Sequence, residues 1–207
     1  MSETVRDFRR AQIVAAARRL VADHGLEALT FGALEERLAF TRGVITYHFA
    51  SKEEIVRAVF ASAIEEIDAA VQAEVEAGAT IDDKVRAVLR ANVRGFVDRA
   101  EAGRVILSFW GRLSADAEVR RLNAELYARY RARSTKLLKR ARDAGEIAKI
   151  DPPTMGALLV ALVLGIATQH YFEPGAVDVD AAIEEAARTL SARLGAKASS
   201  PRKRATR

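Results

Sequence analysis

The stretch FTRGVITYHFASKEEI, residues 40–55, decides the fold because it contains one short polar helix and the start of the next. Ser51, with Glu54 three residues later, forms a capping box, which marks a helix N-terminus. The polar residues of this stretch favour either a helix that faces a negatively charged partner or an ordinary polar surface helix. From residue 41 to residue 52 there is no acid, and besides the capping Ser51 the side chains that can donate hydrogen bonds are Thr41, Arg42, Thr46, Tyr47, His48 and Lys52.

The residues before this stretch complete a helix-turn-helix pattern. An amphipathic helix comes first, and Thr30 is suited to cap a short helix over residues 31–38. After a three-residue break, a second short helix runs from Arg42 to about Phe49. In this motif the second helix enters the major groove of DNA and its first turns meet the base edges. A polar surface helix in an all-helical protein remains the alternative.

The residue types of the second helix fit contact with DNA. Arg42 can fork onto guanine, and Gly43 permits close backbone approach. Thr41 and Thr46 are small enough not to hold the helix away from DNA. The side chains suited to phosphate oxygens are Tyr47, His48 and Lys52. The side chains expected to pack on the first helix are Val44, Ile45 and Phe49.

The rest of the chain also predicts helices. Of the 207 residues, 50% are hydrophobic, and no alternating run is long enough for a strand. We therefore expect an all-α protein of about nine helices, with a three-helix domain at residues 1–50 and a larger helical domain at residues 51–194. Residues 195–207 are expected to form a disordered basic tail. Solubility and loose contact with nucleic acid are both open as roles of that tail.

Charge by itself does not predict a nucleic-acid partner. The formal net charge is +5, but the last thirteen residues hold five basic residues and no acid. The remaining 28 basic residues are matched by 28 acidic ones. Any interaction with DNA must therefore depend on where the charges lie.

Several other classes of protein are disfavoured. The chain has no cysteine and three histidines, and it shows no nucleophile–base pair and no glycine-rich phosphate loop. We therefore expect no enzyme activity, no metal and no cofactor. The longest apolar run, residues 155–168, is shorter than the roughly 20 residues that cross a bilayer. A cytoplasmic protein without a membrane partner is expected.

The sequence resembles the TetR family of transcriptional regulators over about residues 5–60. The segment RLAFTRGVITYHFASKEEI, residues 37–55, carries the match, together with a threonine, Thr30, that opens the second helix. The resemblance implies a homodimer that binds a double-stranded DNA operator and a small-molecule effector in the larger domain. It also implies that the DNA-binding residues are Thr30, Thr41, Arg42, Gly43, Thr46, Tyr47, His48 and Lys52.

Three positions depart from the usual family pattern. Ala39 replaces a glycine that is common in the turn, Glu35 replaces a small residue, and Thr46 replaces a tyrosine that usually touches the phosphate backbone. Threonine has less reach than tyrosine, so Tyr47 is expected to take over part of that contact. These departures concern operator affinity more than the fold.

The last two helices are expected to form the dimer, as the resemblance implies. Independently, the helix after Asp151 is apolar nearly all round, so it must be covered on several sides. A core helix within one subunit is the alternative. The residues expected at the dimer interface are Leu158, Leu159, Leu162, Val163 and Ile166.

A ligand cavity is predicted in the larger domain, although its candidate residues suit an ordinary core equally well. Residues 108–113 and 116–147 look like the subgroup of choline-responsive betaine regulators, which hints at a cation held by cation–π attraction. The basic run at residues 118–142 has two possible interpretations, a solvated face or a site for an anionic ligand such as an acyl thioester. The candidate wall residues are Phe96, Phe109, Trp110, Tyr127, Tyr130, Gln169 and His170.

The function that the sequence predicts is a ligand-responsive repressor that binds a palindromic operator. The alternative is a constitutive or architectural DNA-binding protein with a filled core and no effector.

Overall fold

A computed structural model describes residues 3–110 and 116–195 of the chain. In that part the protein is all-α, as predicted, with no strand and with one short 3₁₀ helix at Leu26–Ala28. The α-helices are α1 (Glu3–His24), α2 (Phe31–Leu38), α3 (Arg42–His48), α4 (Lys52–Ala77), α5 (Ile81–Asp98), α6 (Ala100–Trp110), α7 (Ala117–Asp143), α8 (Pro152–Phe172) and α9 (Val179–Leu194).

Side-chain caps begin several of these helices where the sequence predicts them. The Thr30 hydroxyl accepts a hydrogen bond from the Ala33 amide at 3.1 Å, and the Asp151 carboxylate accepts one from the Thr154 amide at 3.1 Å. Before α4, one of the two bonds of the predicted capping box forms, since the Glu54 amide donates to the Ser51 hydroxyl at 3.3 Å. The Glu54 carboxylate accepts from the Ala50 amide rather than from the Ser51 amide. These local bonds satisfy helix donors that would otherwise lack a partner.

A few helix bounds differ from the prediction. The 3₁₀ helix at Leu26–Ala28 was not expected. The apolar run VILSFWGRL, residues 105–113, predicts a helix from about Gly103 to Leu113, whereas α6 begins at Ala100. The predicted end of α6 near Leu113 lies outside the described residues. The same holds for residues 196–207, which include nearly all of the predicted basic tail.

The first of two compact units comprises residues 1–69 and 95–126. In it α1 packs against α2, α3 and α6. The core includes the fully buried side chains of Ile13, Leu34 and Phe49. The α2–α3 pair is thus fixed to α1, and α1 in turn to α6.

The second unit comprises residues 70–94 and 127–207, and in it α8 packs on α9. Arg86 pairs with Glu184, so α5 and α9 are also linked. Helices α4, α5 and α7 each contribute residues to both units. The predicted boundary at residue 50 separates domains by function, whereas these units are defined by contacts, so that boundary stays a prediction.

Helix α8 is longer than the apolar run at residues 155–168, whose short length was the reason to expect no membrane span. Its 21 residues are long and apolar enough to span a bilayer by length and composition. One side of it is nevertheless buried within the second unit, where Met155, Leu159 and Val163 are at most 7% exposed. In all, 33% of the 18-residue window that meets this criterion is buried, and a single helix of this kind is weak evidence of a membrane span.

Candidate functional site

Helix α3 presents a polar face outward and an apolar face inward. Ile45 is fully buried and so is Phe49, which follows the helix as its cap. Val44, predicted to lie on the same buried face, is instead 39% exposed. His48 takes the inward position, because it shares a side of the helix with Ile45. The other exposed residues between positions 41 and 48 are Thr41, Arg42, Gly43, Thr46 and Tyr47.

The turn before α3 depends on a left-handed residue that is not glycine. Ala39 caps α2 with φ 51° and ψ 34°. An L-residue with a Cβ atom is disfavoured there by about 1 kcal/mol relative to glycine. The departure from the family pattern at this position therefore has a measurable backbone consequence.

Arg42 is exposed at the first turn of α3 and lies over an aromatic ring. Its guanidinium carbon is 5.1 Å from the centroid of the Phe31 ring, and no carboxylate among the described side chains pairs with it. At Gly43, an added Cβ would meet only the Thr41 hydroxyl, at 3.9 Å. The start of α3 is thus positively charged and sterically open.

The hydroxyl of Thr46 is engaged within the helix. It donates to the backbone carbonyl of Arg42 at 3.0 Å, with a second contact to the carbonyl of Gly43 at 3.3 Å. Contact with a phosphate would require this hydroxyl to turn away from its own helix. Tyr47, which is 63% exposed, has the longer reach.

His48 is placed differently from the other polar residues of α3. Its side chain is 8% exposed, and its Nδ1 atom has no hydrogen-bond partner within the described residues. Burial, followed by the charges of Arg6, Arg10 and Arg9, lowers the pKa of the imidazole. Because burial and three nearby cations disfavour the charged imidazole, this inward-facing side chain suits packing beside α1 better than a phosphate contact.

The sequence prediction omitted three arginines of α1 that lie beside α3. Arg10 donates to the backbone carbonyl of His48 at 2.8 Å and lies 4.0 Å from the centroid of the Phe49 ring. Arg9 lies 4.8 Å from the Phe40 ring, and Arg6 lies 5.9 Å from the Tyr47 ring. The signal was available, because positions 6, 9 and 10 have the i, i+3, i+4 spacing of one helix face.

The two remaining DNA candidates lie at helix starts. The hydroxyl of Thr30 serves as the cap of α2, although the residue is exposed. Lys52 is the half-exposed first residue of α4, and no described carboxylate pairs with it. The amide of Ala50 donates to the Glu54 carboxylate at 2.8 Å, which fixes the chain between α3 and α4.

The predicted ligand residues are divided between the two units. Phe96, Phe109 and Trp110 belong to the first unit, where the Phe109 ring is fully buried 4.5 Å from the Phe60 ring. The second unit holds the others, and there the side-chain amide of Gln169, which is exposed, donates to the Gly165 carbonyl at 3.0 Å. Within residues 3–110 and 116–195, no three histidine, aspartate or glutamate side chains are arranged to hold a metal ion. The remaining candidates of the second unit are Tyr127, Tyr130 and His170.

The predicted dimer residues of α8 also divide. Leu159, Val163 and Ile166 are at most 8% exposed within the single chain, and Leu162 is half-buried. Leu158 is 47% exposed. The exposed stripe of the helix therefore consists mainly of small residues on either side of Leu158, namely Ala157, Ala161 and Gly165.

Two protein-family models match the chain. A model of bacterial regulatory proteins of the tetR family covers residues 13–59, and a model of the C-terminal region of BetI-type transcriptional repressors covers residues 81–195. The HTH-type transcriptional regulator BetI of Burkholderia ambifaria (strain MC40-6) is 26% identical over 185 residues, which cover 87% of this chain and 91% of that protein.

Two solved structures share the fold. A transcriptional regulator from Saccharomonospora viridis in complex with choline has a TM-score of 0.75 at 20% identity, covering 89% of this chain and 96% of that chain. AibR in complex with isovaleryl coenzyme A and operator DNA has a TM-score of 0.68 at 20% identity, covering 91% of this chain and all of that chain.

Proposed function

The chain belongs to the TetR family of transcriptional regulators, with a BetI-type C-terminal region, and we propose that it is a cytoplasmic repressor that binds a palindromic operator as a homodimer and leaves it when a small molecule binds. Regulators of this family are typically ligand-responsive repressors. The operator sequence, the effector and the dimer are parts of the proposal.

The observation that carries the proposal is the set of cations around α3 that no described carboxylate neutralises. Arg42 points outward from the first turn, where a forked guanidinium can reach the O6 and N7 atoms of guanine. Arg6 and Arg9 lie beside the same helix and are suited to the flanking phosphates. Base reading and phosphate anchoring would thus come from two different helices.

A homodimer follows from the need to read two half-sites. Two copies of α3 about one DNA turn apart, roughly 34 Å, match a palindromic operator. The exposed stripe of α8 supports self-association, because Ala157, Ala161 and Gly165 allow another helix to approach closely around Leu158. A two-fold contact through α8 and α9 would cover this stripe in both copies.

The effector is proposed to act through α6. This helix packs on α1, where Arg104 donates to the Ala22 carbonyl at 3.1 Å and pairs with Asp23 at 3.4 Å. A ligand that displaces α6 at Phe109 or Trp110 would therefore also move the helix that braces α3. The BetI-type region and the choline-bound relative favour a small quaternary ammonium cation, which aromatic rings bind well.

One observation favours the alternative of a constitutive DNA-binding protein. Phe109 is fully buried against Phe60, so that part of the first unit is filled by the chain itself. In the alternative, operator binding would not change with any effector. A titration of operator binding with choline, and with isovaleryl coenzyme A in parallel, separates the two: one ligand that lowers affinity supports the repressor.

The role of Arg42 is tested on DNA fragments selected by the protein from its own genome. Arg42→Ala is expected to weaken binding to the selected site by about 1–3 kcal/mol and to relax one base position, because a bidentate contact to guanine is lost. Arg188→Ala, which removes an exposed arginine of α9, is the control and should leave both properties unchanged. Affinity and base preference are measured by fluorescence anisotropy on single-base variants of the site.

Equal affinity and equal base preference for Arg42→Ala and the unaltered protein would remove Arg42 from the readout. If the unaltered protein selects no DNA at all, the operator proposal itself is wrong.

A further inference from the structure

A basic groove lies on the outer face of α7 in the second unit. It has a volume of about 600 Å³ and lies beside the start of α8. The lining positions on α7 recur every four residues, so they form one side of the helix. From residue 131 to residue 140 this side is about 14 Å long at the rise of an α-helix. The residues of the basic groove are Arg131, Ala132, Thr135, Lys136, Lys139, Arg140, Asp143 and Pro153.

Its four cations are exposed and unpaired. Across residues 3–110 and 116–195, no ion pair or side-chain hydrogen bond engages Arg131, Lys136, Lys139 or Arg140. The single acid of the groove, Asp143, is already paired with Arg142 at 3.0 Å. The groove therefore has a strong positive potential that the chain itself does not neutralise.

This arrangement differs from that of two arginines of α5 in the same unit. Arg86 pairs with Glu184 and Arg90 with Glu74, so these positive charges meet carboxylates within the fold. Unneutralised cations on one helix face repel one another, which is unfavourable unless an anion joins them. The charge pattern thus favours an external anionic partner for the groove.

The side chains, rather than the end of α8, would hold the ligand. Pro152 and Pro153 have no amide hydrogen to donate, and the amide of Thr154 is bonded to the Asp151 carboxylate at 3.1 Å. Helix α8 lies close to α7 at Gly156, where a Cβ would lie 2.9 Å from the Thr135 hydroxyl. Recognition would rest on the two guanidinium and two ammonium groups.

We propose that the basic groove binds a small anion that carries two or more phosphate groups and recognises it by those phosphates. Guanidinium and ammonium groups are the usual protein ligands of phosphate, and several of them along 14 Å suit several negative charges better than one. The groove has no aromatic side chain on which a base could stack. A single-stranded nucleic acid would need such platforms, and the volume is that of a small-molecule site. The groove would bind this ligand whether or not the chain binds an operator.

The test is calorimetric titration of the full chain with tripolyphosphate, with ATP, with adenosine and with a short duplex DNA, in buffer without divalent cations. Tripolyphosphate and ATP are expected to bind one site per chain with similar affinity, and adenosine is expected not to bind. The double variant Lys139→Gln/Arg140→Gln should lower the affinity for tripolyphosphate and for ATP by about tenfold, since two charge-assisted contacts are lost. The matched control is Lys149→Gln/Arg193→Gln, which removes one lysine and one arginine that are exposed and unpaired in the described part of the second unit but lie outside the groove. It should change either affinity less than twofold.

Four results would overturn the proposal. These are an absence of saturable tripolyphosphate binding, an equal loss in both double variants, binding of ATP but not of tripolyphosphate, and groove-dependent binding of duplex DNA alone. The last would assign the groove to nucleic acid instead. All four altered side chains are exposed, and thermal unfolding of both double variants confirms that the fold is kept.

Discussion

Arginines beside α3 lie on aromatic rings, whereas arginines farther along the same unit lie against carboxylates. Near α3, the guanidinium of Arg10 lies 4.0 Å from the Phe49 ring centroid and that of Arg9 lies 4.8 Å from the Phe40 ring centroid. A ring holds a cation in place without neutralising its charge. The positive potential of this region is therefore kept for an outside partner.

The ion-paired arginines hold the unit together instead. Arg18, whose side chain is 14% exposed, reaches Glu66 at 2.8 Å and Glu101 at 3.1 Å and so ties α1 to α4 and α6. Here the carboxylates cancel the charge of the guanidinium. The same residue type thus has two roles in one unit, and its neighbour decides which: a ring preserves charge for binding, and a carboxylate uses it for structure.

Removing the ring under Arg10 tests the arginines that lie on aromatic rings, and this change should have the largest effect on stability. Phe49→Ala is expected to lower the free energy of unfolding by about 3–5 kcal/mol, because a fully buried ring is lost along with its contact to Arg10. Tyr47→Ala, which truncates a ring that is 63% exposed, is the control and should change stability by less than about 1 kcal/mol. Urea unfolding measures both. Equal losses for the two variants would mean that the ring of Phe49 is not part of a packed core.

The salt dependence of DNA binding separates the two sets of arginines, with a smaller expected effect than the loss of the Phe49 ring. Arg9→Gln should reduce the magnitude of the slope of log K against log salt by about 0.9, because one phosphate contact is lost. Arg18→Gln should leave this slope unchanged and lower the free energy of unfolding by about 1 kcal/mol, because its charge is used inside the fold. Binding to a non-operator duplex at several salt concentrations gives the slopes. The distinction between the two sets of arginines fails if both variants change the slope alike.

Local sequence signals were sufficient for most of the fold. Thr30 and Ser51 each accept the amide bond expected of a cap, because capping depends on residues within one turn. The 3₁₀ helix at Leu26–Ala28 is too short to show a hydrophobic period, so no pattern could predict it.

The site was less predictable, because tertiary packing decides which face of α3 is outward. Composition alone made Val44 an inward residue and His48 a phosphate ligand, but the position of α1 buries His48 and leaves Val44 exposed. The contact of Arg10 with Phe49 joins residues 39 positions apart, a pairing that no local pattern specifies. Single-sequence periodicity identifies a helix and its apolar stripe, and the neighbours of that stripe come only from the fold.

The pH dependence of stability at Glu118 tests the arginines that lie against carboxylates, and its expected effect is the smallest. Glu118 accepts hydrogen bonds from Arg121 and from Arg57, and these lower its pKa from 4.5 to about 2. A lowered pKa in the folded state means that the pair stabilises the protein fully above about pH 4.5 and that this contribution is lost as the pH falls toward 2.

Glu118→Gln should therefore lower the free energy of unfolding at pH 7 by about 0.2–1 kcal/mol, a range set by the solvent exposure of both arginines. The difference from the unaltered protein should shrink between pH 4.5 and pH 2, as measured by urea unfolding at each pH. Glu65→Gln, at an exposed glutamate of α4 with no ion pair among the described side chains, is the control and should show no such trend. A difference that stays constant down to pH 2 would show that Glu118 acts through packing. Its contribution to stability would then not come from the charges of Arg57 and Arg121.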